Sequence, residues 1–160
     1  MHPNVARVVD AAATAGLRVE VRRFPEGTRT AVDAARAVGC EVGQIVKSLV
    51  FLAEDRPVVA LVSGANRVDL DKLARAAGAG TVRRADGDEV RALTGYAIGG
   101  VPPFGHATAA TVVVDRDLAR HQTVWAAAGL PDAVFPATPD DLVRASGGTL
   151  ADLAEAPAAG

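Results

Sequence analysis

The sequence predicts a mixed α/β fold in which short helices flank a mixed sheet that closes partly on itself. Apolar runs of strand length occur along much of the chain, and short segments with a helical spacing of apolar residues separate some of them. Other apolar runs follow one another directly, which does not fit a regular alternation of strand and helix. No linker or internal repeat divides the chain, so we expect one domain over residues 1–160, with a flexible tail from about residue 150.

The first forty residues predict a helix, a strand and a second helix. Residues 3–15 carry valines at helical intervals, and Gly16 stands where a helix C-cap is expected. The segment LRVEVRRF, residues 17–24, alternates apolar and charged side chains, which is typical of a half-buried strand. Residues 30–39 then predict a short helix that begins after Thr30 as N-cap.

The middle of the chain predicts a hairpin of buried strands followed by capped helices. The apolar runs VKSLVFLA and PVVALVS are separated by the polar residues AEDR, which favours two adjacent strands. Helices are predicted after Asp69 and after Asp86, since both aspartates can act as N-caps. Further along the chain we predict brief strands and one more helix: strands at 81–84, 110–115, 123–129 and 133–137, and a helix at 138–148.

The composition excludes several classes of protein. A net charge of −2 does not fit a uniformly basic nucleic-acid-binding protein, although a local basic patch stays open. The single cysteine cannot form an internal disulfide, and the three histidines are scattered, so we expect no metal and no cofactor. The N-terminus lacks the apolar region of a signal peptide, and no run of about 18 apolar residues occurs. We therefore expect a soluble, cytoplasmic protein with no membrane partner.

The stretch TGYAIGGVPPFGH, residues 94–106, is the first candidate for a functional site. Gly100 and Gly105 have the spacing of a phosphate-binding P-loop, but His106–Ala107 stand in place of the Lys-Ser/Thr pair. Pro102–Pro103 also remove two N–H donors that such a loop would need. Two interpretations stay open with about equal weight: a loop that binds a polar ligand through main-chain amides, or a tight structural connection.

Lys47 is the second candidate, because it is a cation at the start of an apolar strand. Its face of the strand also carries Leu49 and Phe51, so the ammonium must reach solvent, pair with a carboxylate or enter a polar cleft. Of the 17 cationic side chains, only Lys47 and Lys72 are lysines. Ser48 follows directly, but adjacent strand residues point to opposite faces, so a Ser-Lys catalytic pair is not expected.

Other polar residues have weaker interpretations. Cys40 is expected to be a buried structural thiol, and His106 is either a general acid–base group or a surface histidine. Asn66 and Arg67 precede a helix and could contact phosphate or sugar, or lie in a solvated turn. Five arginines could form a local basic rim: Arg22, Arg23, Arg29, Arg83 and Arg84. No nucleophile paired with a base, no carboxylate pair and no metal-ligand set stands out.

Three motifs in a fixed order carry a family resemblance. GQIVKSLVF, SGANRVDLDKL and TGYAIGGVPPFG resemble the YbaK/EbsC family of aminoacyl-tRNA deacylases, which is related to the editing domain inserted in bacterial prolyl-tRNA synthetases. The likeness extends from Phe24 to the helix at Leu142. It implies a mixed α/β fold around a curved, partly barrel-like sheet, with a pocket for the aminoacylated 3′ end of tRNA.

The resemblance also implies roles for individual residues. Lys47 corresponds to the family's essential lysine, and Gly99 and Gly100 to the glycine loop that orients the terminal ribose and the aminoacyl group. The same resemblance assigns substrate binding to a further set of residues: Phe24, Thr30, Asn66, Tyr96, Val101, Pro102 and Gly105. No metal or cofactor is implied.

The implied function is trans-editing, the hydrolysis of the ester of a mischarged tRNA. The first candidate substrate is a proline-specific tRNA, the tRNA of prolyl-tRNA, that carries an amino acid smaller than proline. Phe24 stands where cysteine-acting members have a tyrosine, and Pro102–Pro103 stand where many members have Ser-Pro, so the amino acid is left open. The implied partners are mischarged tRNA and an aminoacyl-tRNA synthetase. The alternative is a non-catalytic module that binds tRNA ends, a nucleotide or a synthetase.

Overall fold

A computed structural model describes residues 1–24 and 30–156 of the chain. Within these residues the protein forms five α-helices and eight strands. In chain order they are α1 Pro3–Thr14, β1 Arg22–Arg23, α2 Ala31–Val38, β2 Val46–Ala53, β3 Arg56–Ser63, α3 Leu70–Ala76, β4 Arg83–Arg84, α4 Gly87–Thr94, β5 Thr111–Asp115, β6 Val124–Ala127, β7 Ala133–Ala137, α5 Pro139–Ser146 and β8 Thr149–Ala151. Short 3-10 helices at Val42–Gln44 and Arg116–Arg120 precede β2 and β6.

The strands form two separate sheets. The larger sheet has the order β4-β2-β3-β5-β8, antiparallel from β4 to β3 and parallel from β3 to β8. The smaller sheet has the order β1-β7-β6 and is antiparallel. An isolated bridge between Ile45 and Trp125 joins the start of β2 to β6. The mixed α/β class is confirmed, but the sheets are not closed into a barrel, so the partly barrel-like closure is wrong.

The predicted hairpin is confirmed as β2 and β3, which pair from Val46 with Ser63 to Ala53 with Arg56. Both faces of β2 are covered, because its side chains alternate between two hydrophobic clusters. Val50 belongs to the larger cluster, which also contains α1 and the smaller sheet, whereas Phe51 packs in a second cluster with α3. Burial on both faces explains why these strands read as nearly continuous apolar runs.

The predicted helix caps are confirmed. The Thr30 hydroxyl accepts from the N–H of Asp33 at the start of α2. Asp69 accepts from the N–H groups of the first turn of α3, and Asp86 forms a reciprocal capping box with Glu89 at α4. Each cap satisfies N–H groups that the helix itself leaves unpaired.

The predicted strand over residues 17–24 is shorter in the structure, where only Arg22–Arg23 pair, with Val134 and Ala133. The alternation of LRVEVRRF reflects burial rather than pairing. Leu17 is buried against α1, and its N–H donates to the Ala12 carbonyl. The predicted strand over residues 81–84 is likewise reduced to β4.

The C-terminal segment carries packed structure beyond residue 150, where the sequence predicts a flexible tail. Strand β8 pairs in parallel with β5, and the Leu153 side chain is fully buried in the cluster beside α3. The apolar Leu153 and its main-chain hydrogen bond to Asp69 stabilise this segment on the domain. Residues 157–160 lie outside the described part of the chain. No helix among the described residues is long and apolar enough to cross a membrane.

Candidate active site

A cavity of about 290 Å³ lies between β2, helix α2, the smaller sheet and the glycine loop. Its wall is mainly apolar and includes small side chains from α2 and aliphatic side chains from β2. The residues that line it include Thr30, Lys47, Ser48, Arg84, Gly99 and Trp125. The cavity therefore joins segments that are far apart in the sequence.

Lys47 of β2 is one of the residues that line this cavity, and its ammonium is held near the end of the hairpin. The Nζ atom donates a hydrogen bond to the main-chain oxygen of Asn66. This contact is possible because Lys47 pairs with Val62, and the chain turns back just after β3. The sequence leaves open solvent, a carboxylate or a polar cleft for this cation, whereas in the structure its partner is a main-chain carbonyl.

Asn66 is itself fixed by two carboxylates. Its side-chain amide donates to Asp115 and to Asp117, each at 2.8 Å. Asp115 is fully buried, and it also accepts from the main-chain N–H groups of Ser63 and Asp117, both at 3.0 Å. Because a buried carboxylate needs such donors, these contacts define a single position for Asn66 and hence for its carbonyl.

The surroundings of Lys47 lower its pKa from the ordinary value of 10.5. Burial is the largest cause, because it disfavours the charged form, and the positive charges of Arg84 and Arg67 act in the same direction. The carboxylate of Asp115 opposes them and raises the pKa. Lys47 is thus a partly desolvated cation whose charge depends on its neighbours, as is common at functional sites.

The glycine loop presents Gly99 and Val101 to the cavity, but not Gly100. Gly99 has a φ of +90°, a conformation that favours glycine. The N–H of Gly100 donates to the Ala97 carbonyl, and its carbonyl accepts from Gly129. Gly100 therefore supports the loop, whereas the N–H groups of Gly99 and Val101 have no backbone partner within the described residues.

Two other residues of the loop, Tyr96 and Gly105, contact α1 and do not line the cavity. Tyr96 is buried, with the Arg7 guanidinium 4.6 Å from its ring centroid. A Cβ on Gly105, which has a φ of +71°, would lie 2.6 Å from the Cβ of Ala11. These contacts and the conformation of Gly105 make this part of the loop a rigid support.

His106 forms a hydrogen bond within the loop instead of facing the cavity. Its Nε2 lies 2.7 Å from the Pro102 carbonyl, and because a carbonyl can only accept, this nitrogen carries the proton. Burial lowers the pKa of His106 from its ordinary 6.5, and the hydrogen bond to Pro102 opposes that shift. His106 therefore holds Pro102 in place, and its acid–base role stays a prediction.

The predicted basic rim has members with different contacts. Arg84 lines the cavity, and the guanidinium of Arg22 stacks 4.9 Å from the centre of the Trp125 ring. Arg23 pairs with Asp132 and Arg83 with Glu89, so these two cations are neutralised by neighbours. Arg29 lies outside the described residues. Of the predicted rim, Arg84 therefore lies in the cavity wall and Arg22 lies against a residue of that wall.

The structure brings together four of the residues that the sequence predicts for the site: Lys47, Thr30, Gly99 and Val101. Asn66 contributes through its carbonyl, and Phe24 packs in the cluster behind Trp125. Four others do not line the cavity: Gly100, Tyr96, Pro102 and Gly105. Cys40 is only partly buried, and burial and the adjacent Glu41 raise the pKa of its thiol.

Sequence reasoning misses three residues of this region. Trp125, the only tryptophan, forms part of the wall, and Asp115 anchors Asn66. Asp115 does leave a signal, since it is a carboxylate that directly follows the apolar run TVVV. Ser48 also lines the cavity, although it forms no hydrogen bond with Lys47.

The chain is similar to known proteins over most of its length. Residues 25–145 match the family model described as the aminoacyl-tRNA editing domain. The protein YwhH of Bacillus subtilis is 33% identical over 77% of this chain and 78% of its own length. EbsC of Enterococcus faecalis, named as a candidate Cys-tRNA(Pro)/Cys-tRNA(Cys) deacylase, is 28% identical over 81% of this chain and 80% of its own.

A solved structure gives a closer likeness. A candidate trans-editing enzyme for prolyl-tRNA synthetase superposes with a TM-score of 0.92 and 50% sequence identity. The match covers 98% of this chain and 99% of that one, so the two share their fold over nearly the whole length.

Proposed function

Because the chain belongs to the aminoacyl-tRNA editing domain family, we propose that it is a trans-editing deacylase that hydrolyses the ester of a mischarged tRNA. The first candidate substrate is a proline-specific tRNA that carries an amino acid smaller than proline. The observation that carries the proposal is that Lys47, whose partly desolvated ammonium is held by Asn66, lines the same cavity as the glycine loop. The high structural and sequence similarity to a candidate trans-editing enzyme for prolyl-tRNA synthetase supports the same substrate class.

The cavity suits a small acyl group. Its volume is about 290 Å³, and alanine and valine side chains from α2, β2 and the smaller sheet form much of its wall. Such a wall favours aliphatic side chains by burial of apolar surface. A small amino acid esterified to the terminal ribose would enter the cavity, while the tRNA stays outside.

The reaction needs no nucleophile from the protein. An aminoacyl ester is already reactive, so a water molecule can add to its carbonyl carbon if the ester is held in position. The developing oxyanion is stabilised by the Lys47 ammonium and by the N–H groups of Gly99 and Val101. The bond between the carbonyl carbon and the ribose oxygen then breaks, the ribose oxygen takes a proton, and free amino acid leaves.

The cations at the cavity suit the remainder of the substrate. Arg84 at the wall and Arg22 on Trp125 can bind phosphates of the tRNA 3′ end, because guanidinium groups bind phosphate oxygens in a bidentate manner. This local patch is compatible with a net charge of −2 for the whole chain. A synthetase that supplies the mischarged tRNA is the further proposed partner.

The test is release of amino acid from a panel of mischarged tRNAs. We expect wild type to hydrolyse at least one member, and Lys47→Ala to lose roughly 10²- to 10³-fold in kcat/KM. Lys72→Ala is the matched control, since Lys72 pairs with Asp152 and does not line the cavity. Full activity of Lys47→Ala would exclude Lys47 from the reaction. Salt-sensitive tRNA binding without release of amino acid would instead identify a binding module.

A further inference from the structure

Helix α1 is connected to the glycine loop through Gly129, which lies between β6 and β7. The side-chain amide of Asn4 donates to the Gly129 carbonyl at 3.1 Å, and the N–H of Gly129 donates to the Gly100 carbonyl at 3.0 Å. Gly100 and Gly129 are both buried. A chain of two hydrogen bonds therefore leads from a side chain of α1 to the glycine loop.

Gly129 fits closely between its two partners. It has a φ of +97°, which favours glycine, and a Cβ on it would lie 2.8 Å from the main-chain oxygen of Asn4. On the other side, a Cβ on Gly100 would lie 3.0 Å from the main-chain carbon of Gly129. Because the neighbours on both sides are backbone atoms in close contact, a shift at Asn4 is transmitted to Gly100.

The contacts of the Asn4 amide determine its orientation. Its Oδ1 accepts from the Arg7 guanidinium at 2.9 Å, and a guanidinium can only donate. Its Nδ2 therefore faces the Gly129 carbonyl, which can only accept. Arg7 also donates to the Gly95 carbonyl at 3.2 Å, so Asn4 and Arg7 together hold the loop at two points.

The Gly100 carbonyl belongs to the same peptide group as the N–H of Val101. A peptide group is planar, and in its trans form the C=O and the N–H point in opposite directions. The hydrogen bond from Gly129 to Gly100 thus sets the direction of the Val101 N–H, which is one of the two proposed oxyanion donors. Such donors are effective when they are held in position before the reaction.

We infer that Asn4 is a positioning residue for the Val101 amide and acts through Gly129. The inference rests on the proposed deacylase function and adds to it a residue outside residues 25–145, the range that matches the editing-domain family. Asn4 is not among the described residues that line the cavity, so it acts on the reaction only through the loop. Its effect is on the transition state, where the oxyanion forms, and not on the binding of tRNA.

The test compares Asn4→Ala with Val8→Ala on the best substrate of the panel, well below the unfolding temperature of each protein. Asn4→Ala should lower kcat and kcat/KM by the same factor, about 3- to 10-fold, because a displaced donor costs less than the roughly 10²- to 10³-fold of a removed one. Val8 is fully buried on the same helix. Val8→Ala should therefore lower the unfolding temperature but keep the wild-type kcat.

Two further measurements separate the loss of the contact from a loss of stability. Hydrogen exchange at the Gly129 N–H, followed by NMR, should be faster in Asn4→Ala than in wild type or in Val8→Ala. Asn4→Asp keeps the shape of the side chain but lacks the N–H donor, and its carboxylate is favourable at the N-terminus of α1. It should reproduce the loss in kcat without weakening the helix.

Two results would overturn the inference while deacylase activity stands. One is a wild-type kcat in both Asn4 variants, and the other is exchange at Gly129 that is no faster in Asn4→Ala than in Val8→Ala. Failure of wild type on every substrate overturns the proposed function and the catalytic role of Asn4 with it.

Discussion

The Nζ atom of Lys47 donates a hydrogen bond to the main-chain oxygen of Asn66, and this contact fixes the ammonium of a residue that lines the cavity. A lysine side chain is flexible, so a defined position for its ammonium requires a fixed acceptor. Asp115 and Asp117 provide that fixity by binding the Asn66 side chain. The charge of Lys47 is thus positioned by a buried carboxylate that does not touch it directly.

The pKa of Lys47 should respond to Arg84 in a predictable direction. The guanidinium of Arg84 lowers this pKa, so Arg84→Gln should raise it. If the ammonium is the active form, activity falls as pH rises through the Lys47 pKa, and Arg84→Gln moves this alkaline limb to higher pH. The measurement is kcat/KM against pH, corrected for uncatalysed ester hydrolysis.

Arg83→Gln is the matched control for that experiment. Arg83 is adjacent in sequence, but it pairs with Glu89 and is not among the groups that shift the pKa of Lys47. Its alkaline limb should coincide with that of wild type. An identical shift in both variants would mean that overall charge, and not the Arg84–Lys47 interaction, sets the pH dependence.

Removal of the buried Asp115 carboxylate should shift the alkaline limb of the pH profile in the direction opposite to Arg84→Gln. Asp115 raises the pKa of Lys47, so Asp115→Asn should move the alkaline limb to lower pH. The new amide must also place an NH₂ group against an N–H donor, which should reduce the free energy of unfolding by roughly 1–3 kcal/mol. Asp117→Asn, at a less buried position, is the control and should cost less stability.

Local signals in the sequence account for most of the elements but not for the assembly of the site. The caps at Thr30, Asp69 and Asp86 are confirmed because a cap depends on side chains only a few residues away. The alternation of residues 17–24 predicts a strand that is mostly absent, because burial against α1 gives the same pattern as pairing. Periodicity reports which side chains are buried and not which strand they pair with.

The site depends on contacts across the chain, which periodicity does not report. Lys47 stands out in the sequence as a charge within an apolar run, and the family resemblance identifies the glycine loop. The acceptor for Lys47 is a main-chain carbonyl 19 residues away, and the support for Asn66 lies a further 49 residues along. Neither contact can be predicted from local spacing. The first arises when β2 and β3 pair, and the second when β3 and β5 pair in the sheet.

Gly100 should be intolerant of a side chain for steric reasons. A Cβ at this position would lie 3.0 Å from the main-chain carbon and oxygen of Gly129 and from the Cα of Leu130. Because these neighbours are backbone atoms, Gly100→Ala must displace one of the two segments, and we expect a loss of roughly 1–3 kcal/mol of unfolding free energy. Chemical denaturation measures this loss, and deacylase activity should fall with it because Gly99 shifts.

Gly80→Ala serves as the control for the glycine loop. A Cβ on Gly80 would meet nothing within 4 Å, so this variant should stay within about 0.5 kcal/mol of wild type. Equal stability of Gly100→Ala and Gly80→Ala would show that the segment at Gly129 can move freely. The proposed rigidity of the loop would then be wrong.

The stability of the protein should fall in mild acid through His106. The folded-state pKa of His106 lies below 6.5, so above that pH both the folded and the unfolded states are neutral at this residue. As pH falls below 6.5 the unfolded state takes up a proton first, and the free energy of unfolding decreases until the folded pKa is passed. Thermal unfolding measured between neutral and mildly acidic pH should show this decrease.

His106→Gln isolates that contribution, because glutamine keeps an N–H donor for the Pro102 carbonyl but does not titrate. In this variant the acid-dependent loss of stability should be smaller than in wild type. His121→Gln, which changes a histidine outside the glycine loop, is the control for the loss of one imidazole. If His106→Gln and wild type lose stability in parallel, another group causes the acid sensitivity, and the buried contact between His106 and Pro102 does not govern it.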